Sequence, residues 1–104
     1  MYGRLVEIEG IDTSKREEAL GIIRQRIIPG LSEIDGFMGF ISLMDPEQSR
    51  TRSVVLFDTK ESAEEAERQF GPRREEIVRG LGGTVRSADL YEAPIVEVQA
   101  GVRA

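Results

Sequence analysis

Apolar positions along the chain follow two periods. Leu20, Ile23, Ile27, Leu31 and Ile34 recur at spacings of three and four, one stripe of an amphipathic helix, with Lys15, Glu18 and Arg26 off it. Ala63, Ala66 and Phe70 repeat the pattern after Asp58–Thr59, residues suited to cap a helix. Between these stretches lie two short apolar runs, Phe37–Met44 and Ser53–Phe57, joined by the polar segment Asp45–Thr51. They predict a β-hairpin. Tyr2–Glu9, stopped by Gly10, and Thr84–Tyr91 complete a set of four strands.

Local signals set the expected boundaries. Ser14-Lys15-Arg16-Glu17 has the form of a capping box. Pro29 cannot donate to residue 25, so the first helix is expected over Lys15–Ile28, with a separate turn over Leu31–Ile34. Asp58 and Glu61 are expected to cap the second helix reciprocally, with Glu64 and Arg68 paired on its surface. Gly71-Pro72 should close that helix and start another carrying Ile77, Val78 and Leu81. The glycines of Gly80–Thr84 follow a helix and precede a strand, so they read as a C-cap rather than a phosphate loop.

The order βα, β-hairpin, αβ is an α+β, ferredoxin-like βαββαβ plait with a four-stranded antiparallel sheet and both helices on one face. The hairpin strands, however, are apolar on both faces. Phe37, Gly39, Ile41 and Leu43 alternate with Met38, Phe40, Ser42 and Met44; Val54 and Leu56 alternate with Ser53, Val55 and Phe57. Helices can cover one side only, so the second calls for another sheet: a homodimer through the open sheet face, closing as an α/β barrel. Pro94 precedes a short apolar segment, Ile95–Val98, with no evident place in its own sheet; it is expected to reach the partner. Residues 1–104 are read as one domain, with about 92–104 a C-terminal extension ending in a frayed QAGVRA tail.

Composition narrows the chemistry. The 104 residues contain no Cys, His or Trp, and the sequence has no Asn. Thiolate and imidazole chemistry are therefore absent, and acid–base work falls to Asp, Glu, Lys, Arg or Tyr. No metal site and no cofactor are expected. Glu61, Glu64, Glu65 and Glu67 read as a solvated helix face. A net charge of −5 argues against nucleic acid as a partner, and the Arg73–Arg74 pair reads as a solvated helix start. The opening MYGRLVEIEG lacks an apolar signal core and no run could span a bilayer, so no membrane partner and a cytoplasmic location are expected.

With PGLSEIDGFMGF after the first helix, SVVLFDTKESAEEAERQF closing the hairpin, and Pro72 before the last strand, Arg4–Tyr91 resembles the dimeric α/β-barrel superfamily. Within it the chain is most similar to the antibiotic-biosynthesis monooxygenase-like (ABM) domain proteins. The resemblance implies a cofactor-independent monooxygenase-like protein acting on a small aromatic substrate. It equally admits a non-catalytic small-ligand-binding or stress-related dimer, or a structural interaction module. The Asn, Trp and His of haem-degrading relatives have no counterpart here, nor does the Asn–Trp pair of quinone-forming ones.

In this fold a pocket lies between sheet and helices. Phe40, Phe57, Phe70 and Tyr91 are candidates to line it, although aromatics on inner faces are ordinarily core. The Tyr91 hydroxyl stands out as a polar contact. Arg4, Arg52 and Arg86 sit in or beside strands, where a guanidinium facing the cleft could hold an anion; the plainer reading is a rim position with its head in water. Arg86 joins the four aromatics as a ligand-binding candidate. Asp89 could act as a base if desolvated. No catalytic residue is identifiable.

Overall fold

The computed structural model describes residues 1–101. Four strands form one antiparallel sheet: β1 (Tyr2–Glu9), β2 (Phe37–Asp45), β3 (Arg50–Phe57) and β4 (Thr84–Glu92), in spatial order β2-β3-β1-β4. This is the ferredoxin-like α+β plait, with the two helical connections packed on one sheet face. Val55 and Phe57 pack there with Leu31, Ala63, Ala66 and Phe70; Val6 and Ile8 form a second cluster with Val78.

The first connection is helical from residue 13 to 32, and Pro29 does not break it. A 3-10 turn (Thr13–Lys15) leads into α1 (Arg16–Ile22), a π-helical turn (Ile23–Ile27) and α2 (Ile28–Ser32). The Ile28 amide donates to Ile23, five residues back. The wider π turn ends just before Pro29, which then stands in the first positions of α2, where a missing N–H costs little, so the expected stop becomes a change of helical pitch. Nor is the capping box formed: Asp12 is the cap, its Oδ1 accepting from the Ser14 amide (2.9 Å) and hydroxyl (2.7 Å). The pair of bonds holds the Asp12 carboxyl below its ordinary pKa.

The second connection is one helix, α3 (Lys60–Gly80), with Pro72 inside it. Its inner stripe runs Ala63, Ala66, Phe70, Val78, and the apolar surface buried along that stripe outweighs the one hydrogen bond lost at Pro72. Thr59 caps it, accepting from the Ser62 amide at 3.1 Å; Glu61 makes no reciprocal bond. Arg68 pairs with Glu65 rather than Glu64. The helix ends as expected at glycine. Gly82 adopts φ +85°, and the amides of Gly82 and Gly83 donate back to Arg79 and Val78, a Schellman closure.

Two irregularities steer side chains. The β2–β3 register shifts between Phe37 and Gly39, so Phe37 lies opposite Phe57, with its ring edge-on at 6.3 Å. Phe37 thereby joins Phe40 on the helix side instead of the face of Ile41 and Leu43. In β4 a shift between Ser87 and Val85 leaves Arg86 out of the pairing. Gly36, at φ +94°, accepts from the Asp58 amide (2.8 Å) and so ties the entry of β2 to the exit of β3.

The sheet face away from the helices carries Leu5, Ile41, Leu43, Val54, Leu56 and Tyr91, and among the described residues no element covers it. Met38, Ile41, Leu43 and Tyr91 are exposed. Ile95–Val98 forms no strand and is largely exposed. Of the QAGVRA tail, residues 102–104 lie outside the described residues. No described helix is long and apolar enough to cross a membrane.

Candidate functional site

Between the helices and the sheet lies a cavity of ≈ 120 Å³. Its walls are mostly aliphatic and aromatic: Phe40, Val55 and Phe57 from the sheet, Ile23, Ile27 and Leu31 from the first helical connection, Phe70 and Ile77 from α3. It sits between the two core clusters, where Arg4, Ser42, Ser53, Thr51, Glu67 and Arg74 interrupt the apolar lining. The π-helical turn forms part of the wall, and such turns often accompany functional sites.

Period explains why charge points inward here. On β1, Arg4 alternates with Val6 and Ile8, so it shares their inner face. On α3, Glu67 and Arg74 are seven residues apart and lie on the stripe of Ala63, Phe70 and Val78. The side chains of Arg4, Arg74 and Glu67 are only 12%, 19% and 31% exposed. Arg74 donates to both carboxylate oxygens of Glu67, each at 2.8 Å. Arg4 Nε lies 3.4 Å from Glu67 Oε2, and Arg4 Nη1 donates to the Ala88 carbonyl at 3.0 Å. Burial raises the Glu67 pKa, but the Arg74 hydrogen bonds and the charges of Arg74 and Arg4 outweigh it and hold the carboxyl below its ordinary value. Glu67 is thus a carboxylate at neutral pH.

The opposite part of the floor is neutral and polar. Ser42 on β2 pairs across the ladder with Ser53 on β3, and both side chains face the cavity. The Ser42 hydroxyl oxygen is buried and makes no hydrogen bond. A buried hydroxyl normally finds a partner; this one has none among the described residues, an open valence that lies behind the cavity wall, with less than 1 Å² of the oxygen accessible.

The sequence-based candidates divide. Phe40, Phe57 and Phe70 line the cavity. Tyr91 does not: it lies opposite Gly3 on the uncovered sheet face, 54% exposed. Arg86 is also elsewhere, exposed and 3.5 Å from Glu9. Arg52 pairs with Glu7 at 3.3 Å, and Asp89 lies opposite Leu5; both belong to the uncovered face. Of the two readings open for Arg4, the structure shows the cleft-facing one. Two further inward-facing charges differ from expectation: Glu67 is not part of a solvated acidic face, and Arg74 is not at a helix start, because α3 runs through Pro72. The signal was present as spacing: continuing the inner stripe four residues beyond Phe70 lands on Arg74.

No protein-family model and no curated protein matches the chain in sequence. Solved structures match its fold. HapK from Hahella chejuensis superposes with a TM-score of 0.72 at 11% identity, over 97% of this chain and 100% of that one. A dimeric ferredoxin-like protein from an uncultured marine organism gives 0.65 at 14% identity, covering 94% and 98%. The ActVA-Orf6 monooxygenase of Streptomyces coelicolor, in complex with nanaomycin D, gives 0.65 at 11% identity, covering 95% and 92%. At these identities the likeness is one of fold, and at that level the resemblance to ABM-like proteins holds.

Proposed function

We propose that this protein binds a small, largely apolar molecule, with a single aromatic ring as the fitting shape, in the cavity between sheet and helices. The observation that carries this reading is a hollow of ≈ 120 Å³ walled by aliphatic and aromatic side chains, with Arg4, Glu67 and Arg74 as its few charged groups. Sites for small molecules are apolar hollows with a few placed polar groups. The volume of ≈ 120 Å³ is slightly below the roughly 150 Å³ of an apolar cavity that admits benzene, so a single ring fits after a small expansion. A homodimer through the uncovered sheet face belongs to the same reading, since that face is too apolar to be left in water. One neighbour in fold is described as dimeric, which supports it.

Binding is tested by calorimetry or ligand-observed NMR with single-ring probes such as benzyl alcohol and benzoate. Saturable binding that Phe40→Trp abolishes by filling the cavity supports the reading; no binding of any probe at millimolar concentration overturns it. For the dimer, light scattering should give twice the chain mass, with Leu43→Asp shifting the mass toward the monomer. A stable monomer at micromolar concentration would refute it.

A second reading is a cofactor-independent monooxygenase-like activity on an aromatic substrate. It is favoured by the shared fold with a monooxygenase bound to nanaomycin D. The chemistry would convert an activated ring methylene to a carbonyl: one oxygen atom of O₂ enters the product and the other leaves as water with the two hydrogens. Glu67 is the carboxylate among the cavity-lining residues that could take the first proton, and its lowered pKa makes it a weak base for that task. Oxygen uptake with a panel of single-ring phenols such as phloroglucinol, whose keto tautomer carries the ring methylene, is the test. Uptake that Glu67→Gln removes supports the activity; no uptake across the panel retires it.

A further inference from the structure

The charges beside the cavity do not cancel. Arg4 and Arg74 supply two positive charges and Glu67 one negative. The carboxylate is saturated on one side by Arg74, which uses two donors on it, and it faces Arg4 at 3.4 Å on the other. Neither Lys nor Asp lines the cavity, and the acids on neighbouring strand positions, Glu7, Asp89 and Glu9, lie on or beside the opposite sheet face. A net positive charge therefore borders an apolar hollow. Arg4 is the less committed of the two cations. Its Nη1 donates to Ala88, while its Nη2 makes no hydrogen bond among the described residues. A nearly buried guanidinium with a free donor beside low-dielectric space is costly unless an anion completes it.

Register sets the distance between this charge and the unpartnered hydroxyl. Ser42 lies opposite Ser53, Ser53 opposite Val6, and Arg4 is two residues from Val6 on the same face. The two backbones are thus two strand spacings and two residues apart, about 12 Å. The Arg4 guanidinium turns toward Ala88 on β4, the side of β1 away from β2, so its charge comes no nearer to Ser42 than the backbones do and a single-ring anion at Arg4 does not reach that hydroxyl.

We infer that the ligand is a small monoanion, a carboxylate on a single ring or a chain of similar length, whose charge meets Arg4. This rests on the cavity being a binding site. It adds the charge of the ligand and the end of the cavity at which that charge sits. Glu67, in this scheme, is a positioning residue that keeps Arg4 and Arg74 in place while leaving one unit of positive charge for the guest.

Paired probes differing only in charge test it: benzoate against benzyl alcohol, by titration calorimetry on the full chain near neutral pH. Benzoate is expected to bind at least tenfold more tightly. Arg4→Gln should remove that preference while benzyl alcohol binding survives, which also reports that the variant is folded. Arg4→Lys should retain part of the preference. Glu67→Gln, which raises the local charge by one, should increase it. Equal or tighter binding of benzyl alcohol overturns the charge assignment and leaves the cavity reading intact. Benzoate preference unchanged in Arg4→Gln overturns it as well, because the anion then sits elsewhere. Failure of both probes to bind removes the cavity reading itself.

Discussion

Ser42→Ala should stabilise the unliganded protein. A buried hydroxyl without a partner carries an unrecovered desolvation cost of about 1–3 kcal/mol. Ser42 Oγ is in that position. Deleting one heavy atom enlarges the cavity by roughly 10–15 Å³, and at about 24 cal/mol per Å³ this costs about 0.3 kcal/mol. The balance favours the variant by roughly 0.7 kcal/mol at the low end of the desolvation range and by more above it. For a chain of 104 residues that lower bound corresponds to a rise in Tm of about 3–6 °C. Circular dichroism melts and urea titrations, both without ligand, measure it. Ser53→Ala is the control. Ser53 is the cross-strand partner on the same face but has no stranded hydroxyl, so its Tm should barely move. If Ser42→Ala melts at or below the wild-type temperature, the hydroxyl has a partner, such as a held water, and the open valence does not exist.

Other perturbations test the frame around the site. Gly36→Ala should lower stability by about 2 kcal/mol or more, since φ is +94° and a Cβ would overlap the Asp58 carboxylate and the Ser62 hydroxyl; a melt within 2 °C of wild type would refute it. Phe57→Ala removes the largest fully buried side chain and should cost about 3–5 kcal/mol by urea titration, enough to leave much of the chain unfolded. Glu67→Gln should cost about 2 kcal/mol at pH 7 through the lost Arg74 bonds. The folded Glu67 pKa is depressed, so its contribution is present above the unfolded value of 4.5 and fades as pH falls through the folded one. The stability gap between wild type and Glu67→Gln should therefore close below pH 4.5; a gap that persists there, or widens, contradicts the ion-pair account.

The architecture was readable because period and punctuation agree over most of the chain. Alternation in Ser53–Phe57 placed Val55 and Phe57 inside, and the glycines after Leu81 closed α3 as their backbone freedom permits. Proline misled twice. At Pro29 a π-helical turn, and at Pro72 the strength of the buried stripe, let helix continue where local rules end it. The second case also hid the inward-facing charges. Once a helix start was expected near Pro72, Arg74 became a surface residue and Glu67 one more acid in a run. Ser42 carried no signal of its own in sequence, because whether its hydroxyl is satisfied depends on what packs above it. Tyr91 lies away from the cavity because strand parity puts it with Gly3 and Leu5, on the face without helices.

Where this sequence departs from what an ordinary core would contain, the departures converge. A core of this size gains nothing from two arginines and a glutamate on its inner faces, since a buried ion pair is seldom more stabilising than the apolar residues it displaces. Here the set is not even neutral. Ser42 contributes a further destabilising group, and the cavity divides what could have been one apolar cluster into two. Scattered over the molecule, such features would be tolerated imperfections. Gathered around one hollow of ≈ 120 Å³, they weaken the fold together, at a single place, and a bound anion would offset the excess charge there. A guest of that kind should then stabilise the chain by more than a neutral one of the same size, because Arg4 stops being a cost only when the guest is charged. Melts in benzoate should exceed those in benzyl alcohol at equal concentration; equal shifts for the two would mean that the excess charge plays no part in binding.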